Sequence, residues 1–97
     1  MLTIESGSGG SVLIIGRLDA AQAQVAQSFL DSVAGNVDLD CSRLEYISSA
    51  GLGVLLKTQK RLMAGAGRLR LRGVSRHVRD ILVYSGFDQI IEIEAAE

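Results

Sequence analysis

The chain has 97 residues, a formal net charge of −1 and one cysteine, and 47% of its residues are hydrophobic while only 4% are aromatic. That length holds a single aliphatic core, so one domain over residues 1–97 is expected. The charge balance lacks the basic excess of a nucleic-acid binder, one cysteine cannot close an intrachain disulfide, and no apolar run approaches a membrane span.

Residues 2–6 (LTIES) and 11–16 (SVLIIG) read as two strands of a hairpin, joined through the turn-forming GSGG. Beyond Gly16, Val25, Ala26, Phe29, Leu30 and Val33 recur at helical spacing. A helix with one buried stripe is expected there, with Asp19 at its N-cap and Gly35-Asn36 as its stop. Residues 37–41 (VDLDC) alternate as a short strand, in which Cys41 is a small buried hydrophobe. After Ser48 and Ser49 a second helix should turn Leu52, Leu55, Leu56, Leu62 and Met63 inward and end near Gly65 or Gly67. Arg68-Leu-Arg70-Leu-Arg72 alternates as a strand with a solvated basic face. In SRHVRDILVYSG, Ser75 caps a third helix, Val78, Ile81 and Leu82 pack, and Gly86 ends it. QIIEIE (89–94) makes a last strand partly covered at Ile90, Ile91 and Ile93, while Glu92, Glu94 and Glu97 form a solvated acidic end. The order is β-β-α-β-α-β-α-β, an α/β domain with a mixed sheet flanked by helices and right-handed crossovers between parallel strands.

Few residues here could carry catalysis. The one histidine, His77, sits among Arg76, Val78 and Arg79, and no GxSxG elbow precedes any serine. Asp38, Asp40, Glu45 and Asp80 follow no metal-binding spacing, and GSGG lacks the strand–loop–helix setting of a phosphate-binding loop. Neither an enzyme site nor a metal or cofactor is expected.

The stretch EYISSAGLGVLL (45–56) remains. It places two hydroxyls at a helix start, where unpaired N–H groups and the helix dipole favour either a capping serine or a phosphate. Phosphorylation there would add about −1.5 to −2 charges. Ala50, Gly51 and Gly53 keep the first turn low enough for a partner to come close. From these residues alone, capping and switching both stand.

GRLDAAQAQ, LDCSRLEYISSAGLGVLL and SRHVRDILVYSGFDQIIEI, taken in order, resemble the STAS domain (sulphate transporter and anti-sigma factor antagonist). The likeness is greatest to its free-standing bacterial anti-sigma factor antagonists. The resemblance implies a module that binds an anti-sigma factor acting as a serine kinase and is released once phosphorylated. It further implies a PP2C-type phosphatase that restores the free form. The family pattern Asp-Ser-Ser/Thr/Ala-Gly-Leu-Gly puts the phosphoacceptor at Ser49, with Ser48 standing where the family has aspartate and serving as the alternative acceptor. Asp19 matches the aspartate of the family's GxLD loop. The partner-binding residues so implied are Asp19, Ser48, Ala50, Gly51, Leu52 and Gly53. A monomeric cytoplasmic protein without a leader segment is expected. The competing expectation is a STAS-type accessory subunit of a membrane transporter or lipid-transport complex, with no phosphoserine switch.

Overall fold

The computed structural model describes residues 1–96, so the acidic end expected at Glu97 lies outside the described residues. Strands β1 (Leu2–Ser6) and β2 (Ser11–Leu18) form the expected antiparallel hairpin. They are followed by α1 (Ala23–Leu30), β3 (Asn36–Ile47), α2 (Ser49–Ala64), β4 (Arg68–Val74), α3 (Arg76–Tyr84) and β5 (Glu92–Ala95). The five strands lie in chain order across one sheet, and β2, β3, β4 and β5 are parallel neighbours. Each parallel pair is therefore joined by a single helical crossover. Crossovers of one hand that always step the same way stack their helices on one face of the sheet.

Burial follows that arrangement. Val12, Ile14 and Leu18 of β2, Val37 and Leu39 of β3, and Leu69 and Leu71 of β4 are buried together with Ala26, Leu30, Leu55, Leu62, Val78 and Leu82 of the helices in one cluster. The alternate strand residues look the other way, so the sheet is flanked on one face and open on the other. On the open face Arg68, Arg70 and Arg72 line up against acidic partners, the solvated stripe expected of RLRLR. Arg70 grips Asp38 with two bonds of 3.0 and 2.8 Å, and Arg68 reaches the same carboxylate at 3.3 Å. Glu92 and Glu94 take the outer ends of Arg70 and Arg72 at 3.6 and 3.4 Å. The Arg70 guanidinium, helped by Arg68, holds the Asp38 carboxyl below its ordinary range.

Several expectations change in detail. The short strand at 37–41 runs on to Ile47, because two register shifts against β2 let β3 carry two extra residues without losing its partner. Helix α1 begins at Ala23 with Gln22 at its N-cap and no capping side chain, and it closes at Leu30, well before Gly35. Asp19 instead stabilises the turn before it, its Oδ1 accepting from the Gln22 N–H at 3.1 Å. Val25 and Met63 are over half exposed, since each lies beside its helix's inward stripe and not on it. In α2 that stripe includes the polar Thr58 and Gln59, both buried. Thr58 donates to the Val54 carbonyl at 2.8 Å. Gln59 accepts from the Leu69 N–H at 2.7 Å and donates to the Ile90 carbonyl at 2.9 Å, tying α2 to the sheet.

Ile90 itself is exposed and precedes β5, behind a short 3-10 turn at Phe87–Gln89. Helix α3 is capped by Ser75 as expected, with Val78 and Leu82 buried, and Gly86 takes the left-handed conformation that ends it. Cys41 is buried, and burial raises its thiol pKa to about 12.

Candidate functional site

Strands β2 and β3 run in parallel and finish level with each other, with Leu18 opposite Ile47. The segments that leave them therefore emerge side by side at one end of the sheet. The Ser48 N–H donates to the Leu18 carbonyl at 2.9 Å, one rung beyond the ladder. Asp19 and Ser49 are the residues that follow the two bonded ones, which is how positions thirty residues apart in sequence come to share one rim.

The two serines have different tasks. Ser48 is the N-cap of α2, with extended backbone, and its Oγ accepts from the Gly51 N–H at 3.3 Å. Ser49 is the first helical residue, and its side of the turn is open to solvent, as is Ala50. The first turn of α2 carries no acidic residue, so nothing there offsets the positive end of the helix dipole.

The glycines also divide. A Cβ at Gly51 would stand 2.7 Å from the Leu18 carbonyl oxygen, 2.8 Å from Leu18 Cγ and 2.9 Å from Ile47 Cγ1. Gly51 is thus required for α2 to sit against the ends of β2 and β3, and together with Leu52 it faces the interior. At Gly53 a Cβ would meet nothing within 4 Å. Gly53 and Ala50 line a shallow surface groove of about 180 Å³ between α1 and α2, with Ala23, Gln24 and Lys57 along it. Of the six expected partner-binding residues, Asp19, Ser48, Ala50 and Gly53 thus reach the surface, and Gly51 and Leu52 do not.

One feature of the rim escaped the sequence. Arg17 and Tyr46 are opposite one another in the last-but-one rung of the β2–β3 ladder, and the Arg17 guanidinium lies 4.4 Å above the centre of the Tyr46 ring. The length of β3 would have revealed the pairing, but its register shifts conceal that length. A larger hollow, about 620 Å³, lies elsewhere on the open face, lined by Asp38, Asp40, Ser42, Arg72 and Glu94 among others. Its charged groups already have partners, Arg72 pairing with Glu94 and Asp40 accepting from both the N–H and the hydroxyl of Ser42. Among the described residues no group of His, Cys, Asp and Glu is arranged to hold a metal ion. No described helix is long and apolar enough to cross a membrane.

A family model described as "Mlab, STAS domain" matches residues 3–92. The chain belongs to the STAS domain family. A relative in Bordetella bronchiseptica, BtrV, provisionally assigned as an anti-sigma factor antagonist, is 38% identical over 82 residues, which cover 80% of this STAS domain and 71% of BtrV. Among solved structures, the anti-sigma factor antagonist SpoIIAA in its unphosphorylated form superposes with a TM-score of 0.70 at 23% identity, covering 100% of this chain and 90% of that one. The phosphorylated form of Bacillus SpoIIAA matches with the same TM-score. A sulfate transporter family protein from Wolinella succinogenes matches at a TM-score of 0.76 and 20% identity, covering 95% of this chain and 82% of that one. At these identities the structural matches establish the shared fold.

Proposed function

We propose that this STAS domain is an anti-sigma factor antagonist: a binding module, without catalysis of its own, that engages a serine-kinase anti-sigma factor when unphosphorylated and lets go when Ser49 is phosphorylated. The observation that carries this reading is the division of labour between the serines. Ser48 satisfies the helix start, which leaves the exposed Ser49 hydroxyl available without undoing the cap. A phosphate on Ser49 would sit at the positive end of α2 and need no rearrangement of the fold. Its charge of about −1.5 to −2 would fall within the contact surface and oppose a close-fitting partner. Asp19, on the same rim, would add to the repulsion. Ser48, Ala50 and Gly53 complete the surface that the partner meets, while Gly51 and Leu52 hold the helix start in place. A PP2C-type phosphatase would reset the monomeric module.

The name of the relative BtrV and the SpoIIAA fold support this reading. The likeness to the Wolinella sulfate transporter family protein favours a second one, an accessory subunit of a membrane transport complex that needs no switch.

Mass spectrometry after incubation with the cognate kinase and ATP tests the proposal. One phosphate is expected on the wild type and on Ser48→Asp, which keeps a capping oxygen, and none on Ser49→Ala. Ser49→Asp should bind the kinase weakly, and Ser49→Ala should bind without release. Full phosphorylation of Ser49→Ala would reject the assignment.

A further inference from the structure

The sheet-face arginines of β4 are matched by Asp38, Glu92 and Glu94, so that surface offers little free charge to a partner. Arg17 differs from them. Among the described residues no carboxylate pairs with it, and its side chain donates no hydrogen bond; the Tyr46 ring lies beneath it. A contact with the face of an aromatic ring engages the cation without using its N–H groups in hydrogen bonds to a carboxylate or carbonyl, so those donors remain available. Contact with the ring also narrows the range of positions open to the side chain, which lowers the entropy lost when those donors engage a ligand. A register shift just before Arg17, at Gly16, sets the pairing with Tyr46. Gly16 has φ +100, and a Cβ there would run into the Met1 carbonyl, so this geometry depends on glycine.

The next rung is Leu18–Ile47, and beyond it come Asp19 and Ser48. We propose that Arg17, lying over the Tyr46 ring, is a carboxylate-recognition element that extends the docking surface from the α2 start over the sheet rim, where it engages an acidic side chain of the partner. The partner's identity as a kinase rests on the function proposed above; the anion recognition by Arg17 does not. A carboxylate suits the planar fork, which pairs with it through two parallel bonds. An inorganic phosphate would use the same donors, and the test separates the two.

The Arg17 Nε–H resonance of the full chain is followed by NMR during titration with a tetraglutamate peptide and, separately, with inorganic phosphate. Arg43, also exposed on β3, is the internal control. Saturable shifts at Arg17 that exceed those at Arg43, retained in Tyr46→Phe and lost in Tyr46→Leu, are expected with the peptide, with smaller ones from phosphate. Equal shifts at the two arginines overturn the proposal, and a stronger response to phosphate overturns its choice of carboxylate. With the kinase that phosphorylates Ser49 in hand, Arg17→Ala should raise KM about tenfold and leave kcat unchanged, the loss shrinking as salt is added. Arg17→Lys should recover only part of it. An unchanged KM removes Arg17 from the docking surface even where Ser49 is phosphorylated. If no kinase acts on Ser49, the peptide titration still decides whether Arg17 recognises anions.

Discussion

Gly51 and Gly53 are two residues apart in one helix, and alanine should have opposite effects at the two sites. Each substitution gains about 1 kcal/mol of helix propensity at most. At Gly53 the new methyl meets nothing within 4 Å, so the gain survives. At Gly51 it meets three atoms at 2.7–2.9 Å, and the nearest is the Leu18 carbonyl oxygen. That oxygen cannot retreat freely, because it already accepts from the Ser48 N–H at 2.9 Å. Overpacking of this kind costs about 1–3 kcal/mol, and with a backbone atom in the way the upper part of that range applies. After the propensity gain, Gly51→Ala should lose about 2 kcal/mol. For a domain of this size that lowers Tm by roughly 10 °C, whereas Gly53→Ala should raise it by a few degrees. Thermal unfolding followed by circular dichroism reads both. A Gly51→Ala variant as stable as the wild type would refute the close approach of α2 to β2 on which the site depends.

Two further outcomes concern parts of the fold away from the serines. The Asp38 carboxyl is held low in the folded state by Arg70 and then Arg68, so the pairing stabilises the fold above the unfolded carboxylate range and fades as acid protonates Asp38. Asp38→Asn should therefore lower the urea midpoint at pH 7, and the gap to wild type should close as pH falls below about 4; a constant gap across pH would contradict the ion-pair account. Gln59→Leu keeps the bulk but strands the Leu69 N–H and the Ile90 carbonyl, for a loss of about 2 kcal/mol in chemical denaturation. Gln59→Glu should be at least as costly, because a carboxylate replaces the donor that Ile90 receives.

Features set by local chemistry could be read from the sequence: the GSGG hairpin, Ser75 as a cap, Gly86 as a stop and the solvated arginines of RLRLR. The errors arose where distant parts of the chain decide. Burial at Leu39, Cys41, Leu44 and Ile47 skips by two and then by three, so the period of a strand is lost although the strand continues. Gln59 has no apolar character, and its interior position follows from two backbone partners, ten and thirty-one residues away. Asp19 makes the kind of bond expected of a cap, but to the turn that precedes the helix. The serines were conspicuous in sequence, while their separate tasks needed the 3.3 Å contact from Gly51 to be assigned.

Serine at position 48, where the resemblance to the family pattern leads one to expect aspartate, has a definable physical effect. An N-cap needs an oxygen that accepts from the third helical residue, and serine and aspartate cap about equally well. The fold is thus indifferent to the exchange, and what changes is charge. With serine at the cap and no acid in the first turn, the positive end of α2 stays uncompensated, save for what Asp19 contributes from the neighbouring loop. A phosphate on Ser49 would meet less repulsion than beside an aspartate, so it should be held more readily. Its power to expel a partner must then come from groups that the partner brings, or from Asp19. Comparing Ser48→Asp with Ser48→Asn separates these contributions: the cap persists in both, and a difference between them in the release of the phosphorylated module reports the charge at position 48.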